Sequence, residues 1–141
     1  MTTGKPDYIV IDTNVIISAA ILPNSRTANM FSRAFDRFVL AQNDATWEEL
    51  TDRIKKPKLD RYFPQSYSRA EFLLHVNTNV EFFDIHATAT ECSDPSDNKF
   101  LGLALDAGAK LIVSGDSALQ KLHPYRGIAI YSPADFLQVY P

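Results

Sequence analysis

Apolar positions fall into short blocks whose spacing alternates between strand-like and helix-like. Tyr8-Ile-Val-Ile-Asp12 is a brief apolar run of the kind found in a buried strand. Asn14 to Ile21 continues with helix-length apolar character and stops at Pro23. Ser25 is placed to cap a helix reaching about Phe38, with Ala28, Phe31, Ala34 and Phe35 as its apolar stripe. Phe38 to Ala41 reads as a second strand. Thr46-Trp-Glu-Glu49 has the form of a capping box that opens a helix to about Lys56, before Pro57. The stretch from Leu59 to Ser66 reads as irregular, with at most a helical turn.

Ser68 is expected to cap a further helix carrying Phe72, Leu73 and Val76 on one side. Val80 to Ile85 is a strand candidate, followed by a polar loop through Cys92. The last third is the plainest. Asp94-Pro-Ser-Asp97 opens a helix that ends at Gly108, and Lys110 to Ser114 is a strand running into Gly115 and Asp116. A short helix from Ala118 to Leu122, a strand from Ile128 to Tyr131 and a helix from Pro133 complete the pattern. Strands alternating with helices imply an α/β fold with a parallel sheet covered on both faces and joined by right-handed crossovers.

Composition narrows the class. The 141 residues suit one domain spanning 1–141, 45% apolar and 22% charged, with a core large enough to need neither disulfides nor a structural metal. The lone Cys92 has no internal partner, and no His/Cys spacing suggests zinc. MTTGKPDYIV lacks the features of a signal peptide, and no apolar run approaches the ~20 residues that cross a bilayer. A cytoplasmic protein without a membrane partner is the expectation.

In open parallel sheets, ligands bind beyond the carboxyl ends of the strands, where strand order reverses. The acids fall there: Asp12 ends the first strand, Glu48 and Glu49 follow the second, Asp94 and Asp97 follow the third, and Asp116 follows the fourth. Each alone is explained by helix capping or by the helix dipole. Together they are expected to converge, and no Lys or Arg in the adjoining motifs is an obvious partner for all of them. Clustered carboxylates repel and raise one another's pKa, so a hard divalent cation, Mg²⁺ or Mn²⁺, is expected to supply the missing charge.

The segments IVIDTNVIISA, EELTDRIKKPKL and DPSDNKFLGLALDAGAKLIVSGDSAL resemble the PIN-domain family, which includes the ribonuclease toxins of VapC-like toxin–antitoxin systems. The resemblance runs in order over nearly the whole chain and is nearest to stand-alone PIN proteins described as toxin components. It implies a PIN-like three-layer α/β/α sandwich with a central parallel sheet. It implies a metal-dependent endoribonuclease leaving 5′-phosphate and 3′-hydroxyl ends. The acids carried over are Asp12, Glu49, Asp97 and Asp116, with Asp12, Asp97 and Asp116 holding the metal. Glu49 is preferred to Glu48 because it directly precedes the apolar Leu50. Asn14, Asp94 and Ser114 are expected in support; Ser114 stands where the family often has Thr and keeps the hydroxyl. The partners implied are an RNA substrate, an antitoxin protein and a second copy of the chain.

Net charge is −3, from 17 acidic residues against 14 Lys and Arg, which by itself argues against nucleic-acid binding. Its distribution matters more. Arg53, Lys55, Lys56, Lys58 and Arg61 concentrate five of the 14 cations directly after Glu49, and are candidates for the RNA backbone. A solvated helix end explains them equally well. Tyr62, Phe63 and Tyr67 are candidates for base stacking, with core packing expected for at least one. The rival readings are a non-catalytic PIN-like module that binds RNA or protein, and a phosphatase on a related scaffold. The phosphatase pattern needs a second Asp two residues after the first, where this chain has Asn14. A receiver domain needs an early acidic pair and a late Lys, and neither is evident.

Overall fold

A computed structural model of the chain describes residues 6–141. Five strands alternate with helices: β1 (Tyr8–Ile11), α1 (Thr13–Ile21), α2 (Arg26–Arg37), β2 (Val39–Gln42), α3 (Asp44–Ile54), α4 (Ser68–Asn77), β3 (Val80–Phe82), α5 (Asn98–Ala107), β4 (Leu111–Val113), α6 (Ser117–Gln120), β5 (Ala129–Tyr131) and α7 (Pro133–Val139). All strand pairings are parallel, in the order β3-β2-β1-β4-β5. The order reverses between β1 and β4, so the crevice anticipated from the sequence opens beyond Ile11 and Val113.

Pleating divides the core in two. Ile9 and Ile11 point to one face with Leu40, Leu111 and Val113, where side chains of α1, α2, α3, α4 and α7 cover them. Val10, Ala41, Ile112 and Ile130 point to the other face, under Phe100, Leu101 and Ala104 of α5 and Leu119 of α6. Strands buried on both faces explain why they read as unbroken apolar runs. No helix among the described residues is long and apolar enough to cross a membrane.

Several local expectations change. The capping box of α3 is formed by Asn43 and Thr46, not Thr46 and Glu49: Asn43 Oδ1 accepts from the Thr46 N–H at 2.9 Å, and Thr46 Oγ1 accepts from the Asn43 N–H at 3.0 Å. Glu49 is thereby released from any capping duty. Ser68 begins α4 rather than capping it, its hydroxyl accepting from the Gln65 N–H. Residues Pro57–Tyr62 form a 3₁₀ helix, and a second 3₁₀ turn, Pro95–Asp97, precedes α5.

β3 stops at Phe82. The chain then leaves the sheet edge and lies against α5, where the Asp106 carboxylate accepts from the His86 and Ala87 N–H groups. Gly102 permits this approach, since a Cβ there would meet the Ala87 carbonyl oxygen at 3.2 Å. Gly108 closes α5 in the left-handed region, at φ 61°.

Candidate functional site

Asp12 caps α1 from the end of β1. Its Oδ1 accepts from the Asn14 N–H at 3.0 Å, and its Oδ2 accepts from Ser114 Oγ, beyond β4, at 2.7 Å. Ser114 is completely buried, and its hydroxyl oxygen also accepts from the Asp116 N–H at 3.0 Å. One hydroxyl therefore ties the acid after β1 to the acid after β4. The Gln120 amide, donating to the Ser114 carbonyl at 2.7 Å, braces the same turn from α6. Asp116 caps α6, its Oδ1 accepting from the Ala118 N–H at 2.8 Å.

Asp97 ends the 3₁₀ turn before α5, and it is buried. Asp94, at the start of that turn, accepts from the Ser96 N–H and hydroxyl. Carboxylate oxygens of Asp94, Asp97 and Asp116 lie within 4.8 Å of one another. Asp97 Oδ2 is buried without a hydrogen-bond partner among the described residues. Burial, the neighbouring Asp116 carboxyl and the charges of Asp12, Asp116 and Asp94 push Asp97 up to about 7. Asp116 is held low, first by its contact with the Asp97 carboxyl and then by the Ala118 N–H. Both shifts describe two acids competing for one proton. Asp12 is raised, because burial outweighs the hydrogen bonds from Ser114 and Asn14.

Glu49 differs. Its carboxylate bonds to the Lys99 ammonium through Oε2, which also accepts from Arg53 Nη2 at 3.3 Å. Burial alone would raise it, yet the Lys99 ammonium, the Thr13 hydroxyl and the Arg53 guanidinium hold it below the usual carboxylate range. Glu49 Oε1 is buried without a well-formed hydrogen bond among the described residues. The expectation that the acids lack bases thus applies to the aspartates but not to Glu49. The Arg53 contact is legible in the sequence as an i, i+4 pair on α3. Lys99, two residues after Asp97, carries no pattern of its own. Its distance of 50 positions from Glu49 is closed only by the packing of α3 against α5.

The tightest trio is Asp94, Asp97 and Asp116, so Asp94, expected only in support, sits among the closest carboxylates. Asp12 stands beside them, linked through Ser114 and felt electrostatically by Asp97. A cavity of about 410 Å³ next to Asp12 and Asp116 is lined also by Asn14, Val15, Ser18, Thr27, Gly115 and Pro133. A second cavity of about 390 Å³ shares Asn14 and Ser18 with it and is lined by Arg53, Lys56 and Lys58. Lys55 and Arg61 do not line it, and the Arg61 guanidinium lies 4.7 Å from the centre of the Tyr62 ring. Of the three stacking candidates, Phe63 is buried, Tyr62 packs partly against the core, and only Tyr67 is exposed.

Other aromatic and imidazole side chains serve packing. Trp47 meets Phe82 edge-on, His75 stacks on Phe35, and His123 Nδ1 accepts from the Ile130 N–H. Cys92 is a buried thiol.

Comparison with known proteins gives the family and the fold. Residues 8–118 match the sequence profile of the PIN domain. An uncharacterized protein of Methanocaldococcus jannaschii, MJ1680, is 30% identical over 124 residues, covering 81% of this chain and 74% of that one. Two solved structures share the fold at a TM-score of 0.59. One is VapBC2 from Rickettsia felis bound to a DNA fragment from its promoter, at 13% identity, covering 89% of this chain and 98% of that one. The other is PAE2754 from Pyrobaculum aerophilum, at 15% identity, covering 95% and 89%. With the profile spanning the strand and helix ends that carry Asp12, Glu49, Asp97 and Asp116, the chain belongs to the PIN-domain family.

Proposed function

We propose that this chain is a ribonuclease dependent on Mg²⁺ or Mn²⁺, hydrolysing RNA phosphodiester bonds at the acids between β1 and β4. The observation that carries the reading is the buried, unpartnered oxygen of Asp97 within a knot of carboxylates. A carboxylate left this way costs free energy unless a cation neutralises it. The donors are all oxygens, which suits a hard divalent ion. Asp12, Asp97 and Asp116 would hold the ion, with Asp94 close enough to join them. Bound there, it would acidify a water and stabilise charge on the phosphate in the transition state.

The chain's own residues do the positioning. Ser114 fixes Asp12 and the Asp116 backbone in one frame, and the Ala118 N–H orients the Asp116 carboxylate. Glu49, kept ionised by Lys99 and Arg53, is the candidate for orienting water. Arg53, Lys56 and Lys58, one cavity away, would meet the RNA backbone. The VapBC2 relative supports an antitoxin protein as a further partner of this chain.

The test is cleavage of a mixed RNA pool by wild-type protein and Asp97→Asn, with Mn²⁺, Mg²⁺ or EDTA. Cleavage that requires both metal and Asp97 is the expected result. Equal activity of the variant, or activity in EDTA, would overturn the assignment. Well-folded wild type that binds RNA without cutting it would favour the non-catalytic binding module.

A further inference from the structure

Lys99 is a cation where helix electrostatics favours an anion. It lies in the first turn of α5, at the positive end of the helix dipole, and its side chain is only 25% exposed. Two contacts offset that cost: its ammonium donates to the Ser96 carbonyl at 2.6 Å and bonds to Glu49 Oε2. The same Glu49 oxygen accepts from Arg53 Nη2 at 3.3 Å, so two cations share it. Arg53 is held in turn by Asn14, whose Oδ1 accepts from Arg53 Nη1 at 2.9 Å. Glu49 Oε1 is shut away from solvent, with the Thr13 hydroxyl beside it.

This ammonium stands at the acidic site. Lys99 follows Asp97 by two residues, and the Glu49 charge is felt by Asp12. With Asp12, Glu49, Asp94, Asp97 and Asp116 all ionised, five negative charges face the two side-chain cations on Glu49. One divalent ion leaves a single negative charge over, and a second turns the balance positive. Two-metal centres hold their ions about 3.5–4 Å apart, so both would have to draw on this one set of acids. On the Glu49 side, Lys99 and Arg53 already occupy Oε2.

We propose that Lys99 takes the place of a second metal ion, its ammonium holding Glu49 so that the site binds one divalent ion, on the aspartates. The inference rests on the metal-dependent reading above and deepens it, fixing the number of ions and naming the residue that limits it. A pair that only tied α3 to α5 would contribute stability and leave the ion count unchanged.

Titration of the metal-free protein with Mn²⁺ tests this without RNA or cleavage. Calorimetry reads the stoichiometry, and electron paramagnetic resonance reads coupling between neighbouring ions. The wild type is expected to bind one Mn²⁺ per chain, with the spectrum of an isolated ion. Glu49→Gln is expected to keep that ion and Asp97→Asn to lose it. Lys99→Met, which frees Glu49, is expected to bind a second ion and to show spin coupling. Lys99→Arg, which keeps a cation on Glu49, is expected to stay at one, and so is Lys99→Met combined with Glu49→Gln.

Two coupled ions on the wild type would overturn the inference while leaving the metal reading intact. A folded Lys99→Met that stays at one ion would reduce the pair to a structural tie and overturn it as well. Should Lys99→Met fail to fold, the wild-type and Glu49→Gln stoichiometries still decide. Loss of the ion from Glu49→Gln would make Glu49 its ligand and overturn the inference. Wild type that binds no ion would overturn the metal reading and this inference together.

Discussion

Two carboxylate regions share one end of the sheet, and they are solved in opposite ways. Around Asp97, acids from three chain segments meet, and one buried oxygen has no partner among the described residues. Around Glu49, an inward-facing carboxylate is bound by Lys99 and Arg53. The first raises its acid and the second lowers it. The contrast separates a site that wants a cation from one already supplied with two. It also shows that an acid's place at a strand end does not decide its chemistry; the cations packed beside it do.

Metal-dependent stability is the sharpest way to break this contrast. Mn²⁺ at a hundredfold excess over its Kd is expected to stabilise the wild type by about 2.7 kcal/mol in urea unfolding. Asp97→Asn is expected to lose most of that gain, while remaining folded and no less stable without metal. A variant that keeps the full Mn²⁺ stabilisation would move the ion away from Asp97.

Next in size is the bond to Lys99. Lys99→Met leaves a mostly buried carboxylate with Arg53 as its one cation, and is expected to cost about 1–3 kcal/mol. Glu49→Gln beside Lys99→Met is expected to recover part of that cost in a double-mutant cycle. A zero coupling energy would mean that the pair is only a proximity.

The pH dependence sharpens the comparison, because the two signs differ. Asp97, raised to about 7, holds its proton in the folded state after the unfolded chain has released it near pH ~4. Its contribution is therefore full below pH ~4 and is lost as pH rises through about 7, in metal-free protein. Glu49, depressed below its ordinary value, contributes stability at and above that value and loses it as pH falls through its folded pKa. Asp97→Asn is expected to remove the neutral limb of the stability curve and Lys99→Met the acid limb. Identical curves for both variants would erase the distinction.

A smaller effect belongs to the frame beneath. Asn43→Ala removes the cap of α3, the helix that carries both Glu49 and Arg53, and is expected to cost about 1 kcal/mol. If capping orients Glu49, the Lys99 coupling weakens in this background as well. If it does not, only global stability changes.

Much of the fold is legible along the chain for a local reason. Apolar runs at Tyr8–Ile11 and Leu111–Val113 are strands because both faces of a parallel sheet are buried, and that leaves a mark on every residue. Asp12, Asp97 and Asp116 follow from the same logic, since strand ends and helix starts lie next to each other along the chain. The capping box sits three residues earlier than expected because Asn43-x-x-Thr46 and Thr46-x-x-Glu49 both have a plausible form, and only the helix start selects between them. Likewise β3 is shorter than its apolar run suggests, because residues after Phe82 leave the sheet edge for Asp106 on α5.

By itself, the sequence determined the order of strands and helices, the parallel sheet and the set of acids at its carboxyl end, because periodicity and neighbouring residues carry that information. The tertiary structure alone decided which acids stand bare and which are paired. Lys99 reaches Glu49 across 50 positions and Ser114 reaches Asp12 across 102, contacts set by helix packing and by the adjacency of β1 and β4. Charge compensation depends on distance in space, and no local pattern along a chain records it.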